Sequence, residues 1–402
     1  MNRPAPHAGL PVDLSFGMGK DSAALLALWL TDPASRDFPL SDLTVVTAMT
    51  GDEPDVIRRL MEDHMLPLMR RTRTRFVQIA RAEQSGTRYV VLDDSRRPQK
   101  MIMAGPWRLS DELRASGTVP QIASGRRLCS WRAKGSILDA WYADEHQGAP
   151  FRHVVCFAAE EARRAERDQN YTSGSRRPEY PLIDSLDWDR VRCDLFLLDL
   201  FGEPWSRSAC GYCPFSAGRE GRAELIERWR AEPAIGAQAL ALEYTALALN
   251  PRSRLYGTRS ARELVRTHRL DEIEDAFARD LDRQQWAVYE VRRIIHARRS
   301  DPAAKGPAWR SVRTVATGTR HEAERALARA AAAHRARPVL DEHGVVRAEI
   351  ITRAETYPAL EHGLALAPVG VADKQRPRFE HWWTRLNTET KPTRARRLSL
   401  AA

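Results

Sequence analysis

Cysteine is scarce in this chain of 402 residues: there are five, an odd number, at positions 129, 156, 193, 210 and 213, and none follows. So few thiols exclude a disulfide-stapled scaffold and point to metal binding or catalysis. No stretch approaches the roughly 18 apolar residues of a membrane helix, so no membrane partner is expected. Met1-Asn2-Arg3-Pro4 leads to no apolar core before Pro11, which lacks the pattern of a secretory signal and makes the cytoplasm the expected location. Eleven histidines give no H-E-x-x-H or H-x-x-E-H pattern, and His153 and His268 read as structural or surface residues. Lysine supplies only six of the 63 basic residues. No internal repeat is visible.

What is present is globular: 43% hydrophobic and 29% charged residues, enough for two or three domains. The net charge of +10 is unevenly placed. Residues 251–402 hold 30 Lys and Arg against 19 Asp and Glu; residues 1–250 hold 33 against 34. A basic C-terminal region suits a polyanionic partner such as DNA or tRNA. An arginine- and alanine-rich coding bias would write the same excess, so charge alone leaves both readings open.

Periodicity organises the chain. Val12 to Phe16 reads as a short strand, residues 17–22 as a glycine turn and Ala23 to Leu30 as an apolar helix. Strands are expected at Leu43 to Met49, Arg75 to Ala80 and His153 to Ala158, with a hairpin around Tyr89 to Asp94. Helices are expected at Asp55 to Arg71, Trp131 to His146 and Trp188 to Leu200. This alternation predicts an α/β fold with a doubly wound parallel sheet over residues 1–222. Helices are expected to dominate 223–335. A small β/α region, 336–402, follows and ends in a basic tail from Lys391.

The strongest chemical signal is Gly17-Met18-Gly19-Lys20-Asp21-Ser22 after an apolar strand. Such a turn lets backbone amides converge on a phosphate, the next helix adds its positive end, and Lys20 adds a cation. It is not a Walker A loop: Leu14 stands where that motif needs Gly, and Asp21 where it needs Ser or Thr.

The turn instead resembles the PP-loop of the ATP pyrophosphatase superfamily, Ser-Gly-Gly-x-Asp-Ser, with Gly17 and Met18 in place of the first Ser and Gly. Thr50-Gly51-Asp52-Glu53-Pro54 resembles the T-G-x-E-x-P element of its phosphoadenosine phosphosulfate (PAPS) reductase branch. Residues 157–164 are similar to that branch's G-I-R-x-x-E-S-x-R segment, keeping Glu161 and Arg163 or Arg164 while Ala158 and Ala162 replace its Arg and Ser. Tyr180-Pro181-Leu182-Ile183-Asp184 followed by Trp188 resembles Y-P-L-I-D-W. The likeness covers about residues 12–222.

It implies a Rossmann-like, adenine nucleotide alpha hydrolase-like domain that binds ATP or a related adenine nucleotide with Mg²⁺. The implied phosphate cradle is Ser15, Gly17, Met18, Gly19, Lys20, Asp21 and Ser22, with Thr47 and Met49 along the adenine and Glu161 beside it. Lys20, Asp21, Arg163 and Arg164 are the implied catalytic residues. The C-terminal cysteine on which PAPS reductases act has no counterpart after Cys213, so a true phosphoadenylylsulfate reductase is the weaker alternative. The tRNA thiolases and the DNA phosphorothioation ATP pyrophosphatase are the closer analogy: they adenylylate a substrate and then introduce sulfur.

Cys210-Gly211-Tyr212-Cys213 has metal-chelating spacing. Cys129, in a stretch from Arg127 to Lys134 that is similar to the R-x-C-x-x-x-K region of those enzymes, resembles a cluster ligand. Three thiolates suit a [4Fe–4S] cluster with one open iron, or zinc. Cys193 is the candidate fourth ligand, although it and Cys156 also read as core cysteines. A sulfur donor protein would then be a partner. A nucleotide- or nucleic-acid-binding module with a vestigial loop is the non-enzymatic alternative.

Overall fold

The computed structural model of the protein describes residues 9–84, 87–123, 126–216 and 219–388. The basic tail from Lys391 lies outside the described residues. The chain divides into two compact units, residues 1–112 with 120–218, and residues 113–119 with 219–402.

The first unit is α/β. Its six strands are β1 (Val12–Ser15), β2 (Leu43–Met49), β3 (Arg75–Arg81), β4 (Tyr89–Ser95), β5 (Phe151–Val155) and β6 (Arg176–Glu179). They are ordered β4-β3-β2-β1-β5-β6. All neighbours run parallel except β4, which returns antiparallel to β3, so the sheet is mixed and mostly parallel.

Both faces are covered. α1 (Lys20–Thr31), α2 (Asp55–Leu60) and α3 (Leu66–Thr72) share a core with Leu14, Val45, Met49 and Phe76. On the other face α4 (Ser136–His146) packs Ile137, Trp141 and Tyr142 against Val46, Ala48, Val77 and Ile79. α5 (Arg190–Phe201) sets Cys193 and Leu197 into the first of these cores. Alanine and leucine fill α1, which favours helix, and Asp21 in its first turn complements the helix dipole. Each fully buried leucine there, such as Leu25 or Leu26, contributes roughly 2 kcal/mol.

Between β1 and β5 the strand order reverses direction. The chain builds outward from β1 through β2 and β3 on one side, and through β5 and β6 on the other. In an open α/β sheet the carboxyl ends of such a strand pair diverge and leave a crevice.

The second unit carries α6 (Arg219–Ala231), α7 (Pro233–Leu249), α8 (Ala261–Thr267) and α9 (Asp271–Arg283). The helical expectation holds only this far. Two long strands follow, β7 (Trp286–Arg298) and β8 (Asp301–Gly318), then α10 (Arg320–Ala333). With β9 (Val339–Leu340), β10 (Val346–Ile351) and β11 (Ala359–Pro368) they form one antiparallel sheet, ordered β8-β7-β11-β10-β9. Residues 223–335 and 336–402 are therefore not separate regions. The pairing of β11 with β7 joins them, and the boundary expected at 222/223 falls at 218/219. Among the described residues no helix is long and apolar enough to cross a membrane.

Candidate functional site

Residues 16–19 join β1 to α1, and with the first helical turn, Lys20 to Ser22, they stand at the carboxyl end of β1, beside the crevice between β1 and β5. Met18 has φ 58°, in the left-handed region that favours glycine, at the position where the resembled motif has Gly. Its side chain is fully buried, and its carbonyl accepts the indole N–H of Trp205 at 3.0 Å. Packing and one long-range bond thus hold a turn that glycine would take freely. The amides of Lys20, Asp21 and Ser22 open α1 and have no intrahelical acceptor, as at any helix start.

The side chains of the turn are engaged. The Lys20 ammonium donates to Asp194 Oδ2 at 2.7 Å. Ser22 Oγ donates back to the Gly19 carbonyl at 3.1 Å. Arg190 Nε lies 3.6 Å from Asp21 Oδ2, and its Nη2 lies 2.7 Å from Glu161 Oε1. Burial raises the Asp21 carboxyl, with Arg190 opposing. Burial would raise Glu161 too, but Arg164 and Arg190 hold it below the usual carboxylate range. One carboxylate oxygen each of Asp21 and Asp194, and the Thr47 hydroxyl, are buried without a hydrogen-bond partner. Oxygen donors of this kind fit Mg²⁺, which takes one or two carboxylates and leaves its other positions to phosphates and water.

Four expected residues are placed differently. Ser15 points away from the turn. Its hydroxyl lies 2.8 Å from both Tyr142 Oη and His153 Nε2. His153 Nδ1 accepts from Arg176, so Nε2 carries the proton and donates to Ser15. That hydroxyl is committed to the sheet's other face. Arg163 is exposed on the helix Ala162–Asp168. Arg164 is committed to Glu161 and to the Phe157 ring, 4.6 Å from its centroid. Met49 is part of the core, with 1% exposure. Arg190, Asp194 and Trp205 escape motif reading: none lies in a recognisable pattern, and only the fold brings them to the turn.

The segment 205–213 is fastened over the same end of the sheet. Besides Trp205, the Tyr212 hydroxyl donates to buried Asp52 at 2.8 Å, and the Gly211 amide donates to the Asp52 carbonyl at 3.2 Å. Glu53 accepts the Thr50 and Gly51 amides, both at 3.0 Å, and pairs with Lys134 at 3.4 Å. Cys210 Sγ lies 3.6 Å from Thr50 Oγ1. Burial pushes the Cys210 thiol well up, and Glu53 adds to this while Lys134 opposes. Burial and nearby Cys213 raise Cys129. These three cysteines share one neighbourhood.

Cys193 does not belong to it. It is buried beside Asp21 and Asp194, and burial pushes its thiol up to about 12. As a fourth ligand it is corrected: its position on α5 turns it into the core under α1. Cys129, Cys210 and Cys213 have the donor chemistry of an iron–sulfur or zinc site. Among the described residues, however, no group of three or more His, Cys, Asp or Glu side chains is arranged to hold a metal ion.

The fold and site define an α/β unit with a glycine turn at the switch point of a mostly parallel sheet. Compared with protein-family models, curated proteins and solved structures, the chain matches none.

Proposed function

We propose that the first unit binds ATP or a related adenine nucleotide on residues 17–22 and adenylylates a substrate, releasing pyrophosphate. This is the activity that the likeness to adenine nucleotide alpha hydrolase-like PP-loop enzymes of the PAPS reductase branch implies. The observation that carries the reading is the placing of the turn. Free helix-start amides and Lys20 meet at the carboxyl end of β1, where the sheet reverses direction.

In this reading a substrate oxygen attacks the α-phosphorus and the bond to pyrophosphate breaks. The chain supplies charge stabilisation and positioning: the amides of residues 20–22 and the Lys20 ammonium face the developing negative charge. Lys20 must exchange Asp194 for phosphate. Asp21 and Asp194 would hold Mg²⁺ through their unpartnered oxygens, and the ion would neutralise phosphate charge. Arg190, already bridging Asp21 and Glu161, supplies the cation that Ala158 lacks.

Sulfur transfer is the second half of the proposal. Cys129, Cys210 and Cys213 are the residues that would hold an iron–sulfur cluster or zinc, once brought closer together. The excess of basic residues after position 251 favours DNA or tRNA as substrate. The test is pyrophosphate release from ATP in the presence of duplex DNA, single strands or tRNA. Release that depends on Lys20 supports the reading, and nucleotide binding without release supports a module that does not turn over. The pairing of Lys20 with Asp194 is the observation in favour of that second reading. No nucleotide binding at all would overturn both.

A further inference from the structure

Helix α5 should show one apolar stripe and shows two. Its buried stripe, Cys193 and Leu197, enters the core. On the opposite side Val191, Leu195 and Leu198 are 66%, 54% and 44% exposed. At 100° per residue they fall within about 60° of arc and make a continuous ridge. A helix apolar on two sides is ordinarily covered on both. Four of the ten large hydrophobic residues that stand exposed among the described residues, these three and Leu200, belong to this one helix.

Charge tells what covers the ridge. Arg192 and Asp199 stand on the same flank of it, about 20° apart around the axis and two turns apart along it. Neither has an ion pair among the described residues, and Arg192 only stacks over Trp188, 5.4 Å from the ring centroid. The other flank carries Asp194, which is committed to Lys20.

When two copies of one helix pack antiparallel about a two-fold axis, equivalent flanks face each other in reversed order. With Leu195 near the axis, Arg192 of one copy meets Asp199 of the other, and the reverse pair forms at the far end. Parallel packing would set Arg192 against Asp194, which Lys20 already neutralises, and would leave Asp199 with no cation opposite it. We infer that α5 is a self-complementary surface on which a second copy of this chain docks antiparallel, Leu195 against its equivalent and Val191 toward Leu198 of the other copy, closed by two Arg192–Asp199 pairs. A helix of twelve residues, about 18 Å long, covers less than the roughly 800 Å² per partner of a standard stable interface. The dimer is therefore reversible and concentration-dependent.

The experiment is sedimentation velocity of the full chain over a concentration series, with circular dichroism to confirm folding of each variant. The wild type should move from monomer toward dimer with rising concentration. Arg192→Glu should weaken self-association about tenfold or more, since two attractive pairs become repulsive. Asp199→Arg should do the same. Arg192→Glu combined with Asp199→Arg should bring the dissociation constant back to within about threefold of the wild type. Leu195→Glu should remain monomeric throughout. A wild type that stays monomeric at every concentration overturns the inference, and so does a dimer that neither single charge reversal weakens or that the double reversal fails to restore.

Discussion

Two residues of the glycine turn show how magnitudes decide a substitution. Met18 holds a left-handed conformation that costs a non-glycine residue about 1–2 kcal/mol. Its buried side chain is worth about 2–5 kcal/mol against truncation. Met18→Gly restores the motif residue and relieves the strain, yet should lower stability by about 1–3 kcal/mol, read by denaturant unfolding of the two proteins. Lys20 presents the opposite case, a residue whose present partner competes with its proposed one. Lys20→Ala should abolish nucleotide binding. Asp194→Asn removes the carboxylate that now holds the ammonium, and a half-buried pair of this kind is worth up to about 1 kcal/mol. Without Mg²⁺ the Asn variant should therefore bind nucleotide about fivefold more tightly in an anisotropy titration. Equal or weaker binding would show that Asp194 does not compete for Lys20. Neither Asp194 nor Trp205 was legible in the sequence, because Asp194 reaches Lys20 across 174 residues and Trp205 reaches Met18 across 187.

At the scale of elements, periodicity was a good guide wherever a strand or helix has one polar side or lies wholly in the core. The strand at Leu43–Met49 has the expected bounds, and the helix expected at Trp188 to Leu200 spans Arg190–Phe201. The strands β7 and β8 were read as helix for physical reasons. β7 is an interior strand, paired on both sides, and Trp286, Ala287, Val288 and Tyr289 are all buried and show no alternation, while Arg292 and Arg293 interrupt the apolar run. β8 contains Pro302, Gly306 and Pro307, which read as breakers. It tolerates them because it is an edge strand and its register shifts around Lys305. A Cβ at Gly306 would meet the Ala297 carbonyl at 2.4 Å, so glycine is required there. The C-x-x-C turn was legible, but its clamp to Asp52 was not. That clamp gives a prediction at the same scale. If the protein purified without oxygen carries iron or zinc, Cys129→Ser, Cys210→Ser and Cys213→Ser should each lose it and Cys193→Ser should keep it, by metal analysis and absorbance. Loss of metal in the Cys193 variant would return that residue to the site.

For the molecule as a whole, charge acts through pH and through salt. In the second unit Glu243 accepts the Leu255 amide at 2.6 Å and the Ala261 amide at 2.7 Å. Burial pushes its carboxyl up to about 7, with these amides partly opposing. Between about pH 4.5 and 7 the folded carboxyl keeps a proton that the unfolded chain has released, so stability falls as pH rises through this window and levels off above it. The loss amounts to about 3 kcal/mol, and Glu243→Gln should remove the slope in thermal melts across it, although it also forfeits one amide bond. Salt tests the partner. Much of the second unit's basic excess is already spent: Arg262 pairs with Glu274, Arg292 with Glu380, Arg293 with Glu361, Arg313 with Glu290 and Arg347 with Asp341. Arg347 also caps the carboxyl end of α7 through the Leu247 carbonyl, at 3.1 Å. Among the described residues, the exposed basic side chains outside these pairs include Arg298, Arg299 and Lys305 near the β7–β8 turn and Arg325 and Arg329 on α10; Lys391, Arg394, Arg396 and Arg397 of the tail lie outside the described residues and add four positive charges to the sequence. Neutralising about six phosphates releases their counterions, so affinity for DNA or tRNA should fall about a thousandfold between 50 and 200 mM salt. Deleting residues 391–402 should make that slope shallower, and so should Arg325→Glu with Arg329→Glu. Reversing Arg313, which Glu290 already neutralises, should leave it nearly unchanged. Absence of binding to duplex, single strand and tRNA at low salt would assign the first unit a small-molecule substrate, because no macromolecular polyanion would then reach it.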